Sequence, residues 1–351
     1  MSAPTRIGVV GAGSLGYHHV RLLRDVADAR LVGFYESRPE RAAQVASELG
    51  VTPRGSLDEL LGEVDAVTVV VPTPAHHAVA RRALERGVHV LIEKPIASTL
   101  EEADDLLAVA RTNGALVQTG HVERFNRAIR AALPHIDAPR FVESDRLAPF
   151  NPRGSDVAVV LDLMIHDIDL VRTLVGGRVT GLAAAGVPVL TPSVDIANAR
   201  LTFDTGAVAN ITSSRVSRER LRKLRIFQRS GYLSLDLGQG TGEFYRLRGG
   251  LDVAALATAP RQLEEYMEHI VLEPADESAE PLRLELESFV AATQGRHPVI
   301  VTGDDGREAL ALALRIMGEI ERSLPALSGA AAAGAAEARP GTGRGTGRPG
   351  A

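Results

Sequence analysis

The sequence has no cysteine and no tryptophan, and aromatic residues make up only 4% of its 351 positions. The absence of cysteine excludes disulfides, thiolate metal sites and a cysteine nucleophile, and it fits a reducing compartment. Hydrophobic residues still make up 45% of the chain, so it can fill a sizeable core, chiefly with alanine, valine and leucine. The length allows two domains of ordinary size.

The sequence also lacks a positive net charge and a long hydrophobic run. Its 39 basic and 44 acidic residues give a formal net charge of −5, so no overall positive field attracts nucleic acid or an anionic membrane. No apolar stretch approaches the roughly 20 residues of a membrane span, and the start, MSAPTRIGVVGAG, shows no signal-peptide core. We therefore expect a cytoplasmic protein that acts on a small molecule, without a nucleic-acid or membrane partner.

The first 121 residues alternate short β-branched segments with amphipathic helical segments. Strands are predicted at RIGVVG, LVGFYE, a short VTP, AVTVVV, HVLIE and ALVQTG. This order predicts a Rossmann domain with a doubly wound, mostly parallel sheet, whose ligands bind beyond the carboxyl ends of the strands. The segment TLEEADDLLAVARTNG is predicted to be a helix capped by Thr99.

From about residue 140 the pattern changes to a helix over 156–175 followed by strands at VTGLAAAGVPVL, NARLTF, AVANITSS, LRIFQ, YLSLDL and EFYRL. Strands that follow strands predict a C-terminal α+β domain over 122–327 with a large, open, mostly antiparallel sheet. A sheet covered on one face needs a partner for the other, so we expect a homodimer or homotetramer. The last helix is predicted to end near Leu324, and the Ala/Gly-rich residues 328–351 are predicted to be a disordered tail.

A dinucleotide fingerprint, GAGSLG, follows the first strand. Gly11 permits the tight turn, Gly13 the close approach of a pyrophosphate, and Gly16 the packing of helix on strand. Ser14 and Leu15 open the helix whose free N–H groups would bind that pyrophosphate.

The second strand ends in an acid, Glu36, which lies 20 residues beyond Gly16. Its carboxylate would accept hydrogen bonds from the adenosine ribose and would repel a ribose phosphate, which favours NAD. Arg38 could accept that phosphate, so NADP stays open.

Two later segments leave strands at the same edge of the predicted sheet. VPTPAHHAVA contributes Pro72, Thr73 and His76 beside the cofactor, and EKP contributes Glu93 and Lys94. A cationic Lys94 can hydrogen-bond a substrate hydroxyl and stabilise the alkoxide that forms as hydride leaves. The alternative for this lysine is a surface ion pair with Glu93.

The predicted helix VVLDLMIHDIDLVRTL carries a narrow polar stripe on an otherwise apolar surface. At 100° per residue, His166 lies about 40° from Asp162, whereas Asp167 lies about 140° from it. A histidine beside an aspartate that fixes its tautomer is what a general base requires. We therefore predict Asp162 and His166 as a catalytic pair, with a satisfied core histidine as the alternative.

The segment RVSRERLRKLR, residues 215–225, has six basic residues and one acid. It would suit a diphosphate in a protein of negative net charge, although a solvated strand and turn is the alternative. The candidates are Arg215, Arg218, Arg222 and Lys223.

Together, GAGSLG, PTPAHH, EKP, GHVERFN and DLMIHDID resemble the Gfo/Idh/MocA family of NAD(P)-dependent oxidoreductases over about residues 5–325. The resemblance implies a Rossmann domain followed by a substrate-binding domain. It also implies that Lys94, Asp162 and His166 line a substrate pocket facing the nicotinamide. The family's usual acid after the second strand is Asp, and here it is Glu36. No metal site is predicted.

Within that family, GHVERFN, VPVLTPSVDIANARLTF and SSRVSRERLRKLRIFQ are similar to members that oxidise nucleotide sugars and supply an aminotransferase. That resemblance implies that His166, oriented by Asp162, removes the hydroxyl proton while Lys94 steadies the oxyanion. Candidates for contacts with the sugar are Arg124, Asn126 and Asn198.

Other readings stay open at this point. The substrate could be another nucleotide sugar, a free sugar or an inositol, because the catalytic residues specify only a secondary alcohol. A redox sensor that binds NAD(P) without turnover would not need Lys94, Asp162 and His166 together. A glycosidase that oxidises its substrate transiently would retain tightly held NAD and release no NADH.

Overall fold

The computed structural model describes residues 3–151, 157–249, 263–274, 276 and 280–337. Its first half contains a five-stranded parallel sheet in the order β2-β1-β3-β4-β5. The strands are β1 Thr5–Val10, β2 Ala29–Tyr35, β3 Ala66–Val69, β4 His89–Glu93 and β5 Val117–Gly120. The predicted Rossmann sheet is confirmed. The predicted strand VTP is wrong, since only Pro53 forms an isolated bridge, with Phe34, and proline has no N–H for a ladder.

Five helices connect and flank these strands: α1 Ser14–Leu23, α2 Pro39–Leu49, α3 Leu57–Glu63, α4 His76–Leu84 and α5 Leu100–Thr112. The predicted cap of α5 is confirmed, because the Thr99 hydroxyl accepts the Glu102 N–H at 3.2 Å. Helices on both faces bury the strands, and all four residues of β3 are buried, as expected for a doubly wound sheet.

The second half contains an eight-stranded sheet in the order β13-β12-β11-β10-β6-β9-β8-β7. All neighbours are antiparallel except β6 and β9, so the predicted open, mostly antiparallel sheet is confirmed. The strands are β6 Phe141–Leu147, β7 Val179–Val187, β8 Ile196–Phe203, β9 Val208–Ser214, β10 Leu221–Gln228, β11 Gly231–Asp236, β12 Thr241–Leu247 and β13 Met267–Leu272.

Sequence reasoning did not predict β6, which lies in the middle of this sheet. Its inward residues include Ser144 and Arg146, both buried. Polar residues on the core face remove the apolar alternation by which a half-buried strand is recognised. The polar side chains are satisfied by partners on another element, as described below.

The helices of the second half cover the inner face of this sheet or return to the first half. They are α6 Arg127–Ala132, α7 Ile165–Val175, α8 Leu263–Tyr266, α9 Pro281–Thr293 and α10 Gly303–Glu337. This half also has a π-helical turn at Val160–Met164 and 3-10 turns at Val122–Phe125 and Leu133–His135, and the first half has a 3-10 turn at Thr73–Ala75. Apolar residues of α7 and α10 share one core with the inner face of the sheet.

The sequence boundary between the two halves is not a boundary in space. Helix α9 places Leu286, Phe289 and Val290 in the same core as β1 and α1. We keep 1–121 and 122–327 as the proposed domain limits, with α9 returning to the first.

The ends of two predicted helices differ from the structure. The segment predicted as one helix over 156–175 begins with the π-helical turn, and residues 152–156 lie outside the described residues. The last helix does not end near Leu324 but continues to Glu337, since alanine has the highest helix propensity. Of the predicted tail 328–351, residues 338–351 lie outside the described residues.

The outer face of the second sheet carries a row of stacked rings. Neighbouring centroids lie between 4.7 and 5.8 Å apart, and the row crosses five strands: Phe141, Phe227, Tyr232, Tyr245 and His269. No described helix packs over this row. Among the described residues, none of the helices is long and apolar enough to cross a membrane.

Candidate active site

A cavity of about 720 Å³ lies at the carboxyl ends of the parallel strands, where doubly wound sheets bind ligands. Ten of the residues predicted to bind a cofactor line it: Gly11, Gly13, Leu15, Glu36, Arg38, Pro72, Thr73, His76, Glu93 and Lys94. Ser14 and Gly16 do not line it. Both belong to α1, the helix that starts at the wall of this cavity.

Gly11 and Gly16 of GAGSLG have the uses predicted for them, the tight turn and the packing of helix on strand. Gly11 has φ +90°, and a Cβ there would lie 2.6 Å from the Val70 carbonyl oxygen. A Cβ on Gly16 would lie 2.0 Å from the Gly11 oxygen, so α1 packs tightly on the turn. A Cβ on Gly13 would meet only the end of the Arg38 side chain, at 3.9 Å, and α1 begins after Gly13 without a side-chain cap. Its first N–H groups are therefore available to a phosphate, which fits a dinucleotide pyrophosphate.

Glu36 is held at the far end of this turn. Its Oε2 accepts the Ala12 N–H at 3.0 Å, and its Oε1 accepts the Arg38 Nε–H at 2.9 Å. Burial favours the neutral acid, but the hydrogen bonds from Arg38 and Ala12 outweigh burial and lower the pKa of Glu36. An ionised carboxylate beside an exposed guanidinium thus lines the part of the cavity that suits the adenosine ribose.

His76 ties together the loops that follow β3 and β4. Its Nδ1 lies 2.8 Å from the Pro95 carbonyl oxygen and its Nε2 lies 2.8 Å from that of Val71. Burial lowers the pKa of His76. The histidine therefore fixes the position of EKP relative to the loop that begins with Pro72 and Thr73, both of which line the cavity.

Lys94 does not form the surface ion pair that was the alternative reading. Glu93 is buried and lies 3.3 Å from the buried His19. Lys94 instead donates from Nζ to the Asp162 carbonyl oxygen at 2.6 Å and lies 3.5 Å from the Asp162 carboxylate. Burial lowers the pKa of Lys94, opposed by the negative charges of Asp162 and Glu93.

The structure brings Asp162 to Lys94 rather than to His166. The prediction assumed α-helical geometry, but Asp162 lies in the π-helical turn, whose wider winding changes the angle between successive side chains. Nδ1 of His166 is buried and has no hydrogen-bond partner among the described residues. The predicted pairing of Asp162 with His166 is therefore wrong, although both residues lie beside Lys94.

His166 is held in its neutral form. Burial is the largest cause that takes the pKa of His166 well below its usual value, and the positive charges of Lys94 and Arg146 act in the same direction. A neutral imidazole can accept a proton, which is the state required of a general base.

Two residues predicted to contact the sugar are engaged elsewhere. Both guanidinium contacts of Arg124 with Asp169 measure 2.7 Å. Asn126 caps α6 and donates to Glu123 at 2.9 Å. We interpret Arg124 and Asn126 as structural residues within the second half rather than as sugar ligands.

A second cavity, of about 290 Å³, lies on the other side of Asp162. Its charged lining residues are Arg146, Asp162, Arg215, Arg220 and Arg222. Because Asp162 holds Lys94, which lines the first cavity, the two cavities meet at this pair. Such an arrangement can place an anionic ligand next to a cofactor.

The residues predicted to bind a diphosphate divide into two groups. Arg215 and Arg222 line the second cavity, whereas Arg218 lies in an exposed loop and does not line it. Lys223 and Asn198 are exposed on the outer face of the sheet, where Asn198 donates to Thr212 at 3.0 Å. They are turned away from the cavity because successive side chains of a strand point to opposite faces.

Arg146 was missed by sequence reasoning and anchors the wall of the second cavity. It pairs with Asp167 at 2.6 Å and with Glu123 at 2.9 Å, and Asp167 also accepts the Ser144 hydroxyl at 2.9 Å. Arg220, also missed as a candidate, has no hydrogen-bond or ion-pair partner in the part of the chain that the structure describes. Its position in RVSRERLRKLR, two residues before Arg222, was the available signal.

The fold and the site define an NAD-binding oxidoreductase. Residues 5–121 match the family model described as the oxidoreductase family with an NAD-binding Rossmann fold. Residues 135–234 match the model of the GFO/IDH/MocA C-terminal domain. The chain therefore belongs to the GFO/IDH/MocA family of oxidoreductases.

Among its relatives is UDP-N-acetylglucosamine 3-dehydrogenase of Acidithiobacillus ferrooxidans, 39% identical over 320 residues that span 91% of this chain and 98% of that protein. The solved structure of that enzyme superimposes with a TM-score of 0.81 over 91% of this chain and 98% of the other. A scyllo-inositol 2-dehydrogenase (NAD⁺) of Bacillus subtilis is 32% identical over 62% of this chain and 69% of its own.

Proposed function

We propose that the protein oxidises the 3-hydroxyl of UDP-N-acetylglucosamine to the 3-oxo sugar with NAD⁺. One observation carries the proposal: Lys94 and Asp162 stand where the cofactor cavity meets an arginine-lined cavity. The extent of similarity to an enzyme of that name supports the choice of sugar.

The residues around the junction supply the acid–base and electrostatic parts of the reaction. Neutral His166 accepts the hydroxyl proton, and the Lys94 ammonium donates a hydrogen bond to the developing alkoxide. Asp162, through its contacts with Nζ, positions Lys94 rather than His166. When bound, NAD⁺ supplies the hydride acceptor.

The second cavity would receive the diphosphate. Arg222 is partly exposed there and lies 3.6 Å from Glu123, and Arg220 is exposed beside it. Guanidinium groups bind phosphate oxygens in pairs. Arg146, buried behind them and already paired with Asp167 and Glu123, would support the wall rather than bind the ligand.

NAD is the proposed cofactor because the ionised Glu36 would accept ribose hydroxyls and repel a ribose phosphate. The exposed Arg38, which Glu36 holds, keeps NADP as the second candidate.

A second candidate substrate is an inositol, since a scyllo-inositol dehydrogenase is among the relatives. The arginine-lined cavity favours the nucleotide sugar, because an uncharged polyol would leave Arg220 unpaired among the described residues and Arg222 with only its 3.6 Å contact to Glu123.

We also propose that the oxo sugar is consumed by an aminotransferase in the synthesis of a 3-amino sugar for lipid A. A ketone beside the acetamido carbon is a suitable acceptor for an amino group. The resemblance of GHVERFN and SSRVSRERLRKLRIFQ to enzymes that supply such a step supports this link.

We propose in addition that two copies of the chain associate through the outer face of the second sheet. The stacked rings that run from Phe141 to His269 give this face an aromatic centre, and aromatic residues are enriched at protein interfaces. A partner would cover a face of the sheet over which no helix of the described residues packs.

The proposed reaction is tested by absorbance at 340 nm with NAD⁺ and UDP-N-acetylglucosamine, with an aminotransferase and an amino donor added to remove the ketone. NADH formation by the wild-type protein, dependent on Lys94, is expected. Turnover of scyllo-inositol but not of the nucleotide sugar would overturn the proposed substrate. Cofactor binding without oxidation of any sugar alcohol would favour a redox sensor.

A further inference from the structure

Buried polar groups without partners lie directly behind the proposed base. His121 follows β5, is 1% exposed, and has no hydrogen-bond partner for either ring nitrogen within the described residues. Nδ1 of His166 is also buried and has no hydrogen-bond partner within the described residues. Each unpaired buried nitrogen costs about 1–3 kcal/mol, so three of them beside one another call for an explanation beyond packing.

The two imidazoles face each other. Their rings meet edge to face, with centroids 6.4 Å apart and an interplanar angle of 87°. The pairing of Glu93 with Gly120 across β4 and β5 places His121 next to EKP. His121 therefore lies behind His166 and Lys94, deeper in the protein than the cavities.

The proposed reaction, on which this inference rests, releases one proton inside the site. The bound cofactor and sugar would cover the openings through which His166 meets solvent. A base whose pKa is held well below its usual value gives up a proton readily. Burial also lowers the pKa of His121, but the negative charges of Asp169 and Glu93 oppose that shift, which is the smaller of the two. The proton that His166 releases can therefore pass to His121.

We propose that His121 is a proton-relay residue that receives the substrate's proton from His166. The hydroxyl O–H bond breaks and an N–H bond forms on one nitrogen of His166. The N–H bond on its other nitrogen then breaks, and that proton passes to His121 through one buried water. The hydride takes the electron pair of the C–H bond to NAD⁺, so no further oxidant is required.

A charged chain leads from His121 toward the surface. Asp169, close to His121, is held by Arg124, and Arg124 also lies 3.4 Å from Asp305. The side chain of Asp305 is 31% exposed. Asp169 supplies a carboxylate acceptor close to His121, and Arg124, which has donors only, holds that carboxylate in place.

The charged groups around the two histidines raise or lower the pKa of each imidazole. Around His121 they are Asp169 of α7, Arg124 of the adjoining 3-10 turn, and Lys94 and Glu93 of β4 and its end. Around His166 they are Lys94, Arg146, Arg222 and His121. A further acid, Glu285 of α9, is held neutral, since burial and the charges of Glu93 and Asp169 raise its pKa well above the usual value.

The first test needs no substrate. The ¹⁵N signals of histidine side chains are followed against pH in wild type, His121→Phe, His121→Gln and the control His135→Phe. His135 lies outside the site, where its ring packs on Phe244 of β12 with the ring centroids 5.6 Å apart. Loss of His121 should raise the pKa of His166, because one positive neighbour is removed, while His135→Phe leaves it unchanged. An unchanged His166 in both His121 variants would overturn the relay.

The second test is kinetic. Both His121 variants should lose about 10- to 100-fold in kcat, at or below the lower end of the roughly 10²- to 10⁴-fold range for a group that transfers the substrate's proton itself. KM and NAD affinity should stay within about twofold, and the solvent isotope effect on kcat should increase. Equal losses of NAD affinity and kcat would indicate a merely structural residue. If Phe prevents folding, Gln decides the outcome.

The experiments distinguish a failure of the proposed substrate from a failure of the proposed proton relay. Absence of wild-type turnover with UDP-N-acetylglucosamine would overturn the substrate but not the relay, which the histidine titrations still decide. Normal wild-type turnover with unaltered kcat and isotope effects in His121→Gln would overturn the relay alone.

Discussion

The stability of the second half should depend strongly on one buried cation, Arg146. Its side chain is 4% exposed and pairs with Asp167 at 2.6 Å and with Glu123 at 2.9 Å. The substitution Arg146→Met keeps much of the apolar stem but removes the charge. Two buried carboxylates, one on α7 and one in the turn after β5, would then lack their common partner.

The expected loss in the free energy of unfolding follows from the burial of Arg146 and its two carboxylate partners. Breaking a buried ion pair by removing one partner costs about 3–5 kcal/mol. Because Asp167 keeps its hydrogen bond from Ser144 and Asn126 still donates to Glu123, we expect the loss to lie near the lower end, about 3 kcal/mol. At about 2–4 °C per kcal/mol for a domain of roughly 150–250 residues, the melting temperature should fall by about 6–12 °C.

A matched control lies on the same sheet and also involves β6. Arg225 of β10 pairs with Glu143 of β6 at 2.7 Å, but its side chain is 49% exposed. Arg225→Met should therefore cost no more than about 1 kcal/mol. Urea unfolding followed by circular dichroism measures both variants. A loss in Arg146→Met no larger than that in Arg225→Met would refute the argument that burial makes this network essential.

Four further predictions concern the site and the outer face. Lys94→Met should lower kcat about 10²- to 10³-fold, the cost of losing one oxyanion donor, with NAD affinity retained in a fluorescence titration; a loss of NAD affinity alone would contradict the assigned role. Arg222→Met should raise KM for UDP-N-acetylglucosamine, whereas Lys223→Met, on the opposite face of β10, should not; equal effects would argue against the diphosphate site. Because the pKa of His166 is lowered, its imidazole stays neutral at acidic pH. The value of kcat/KM should therefore start to fall only below about pH 6.5, the usual histidine pKa. A fall that begins at higher pH would mean that another group is the base. Tyr232→Asp places a charge in the row of rings and should yield monomers in light scattering, and an unchanged oligomer would exclude this face as the interface.

The Rossmann half could be predicted from its sequence because its signals are local. GAGSLG requires a tight turn, a close approach and a helix start within six residues, and Glu36 follows at the end of the next strand. The capping of α5 by Thr99 likewise depends on residues three positions apart. Periodicity also predicted most strands of the second sheet, since alternate burial is a property of consecutive residues.

Tertiary structure decided what distant segments do together. The pairing of Asp162 with Lys94 joins residues 68 positions apart, and a π-helical turn that periodicity does not reveal redirected this aspartate from His166. Lys223 and Asn198 were expected at a site because of their residue types, although each alternates with buried neighbours such as Leu224 and Ala199 and therefore lies on the opposite face of its strand.

The buried charged residues show most clearly what the sequence determines and what only the tertiary structure decides. Arg146 made β6 look unlike a strand, because its charge is acceptable on the core face only when Asp167 and Glu123 meet it there. The sequence by itself determined the turn, the strands and the residue types available for chemistry. The packing of α7 against β6 and the turn Val122–Phe125 decided which of them are ion pairs in the core and which, like Lys94, His166 and His121, come together at the site.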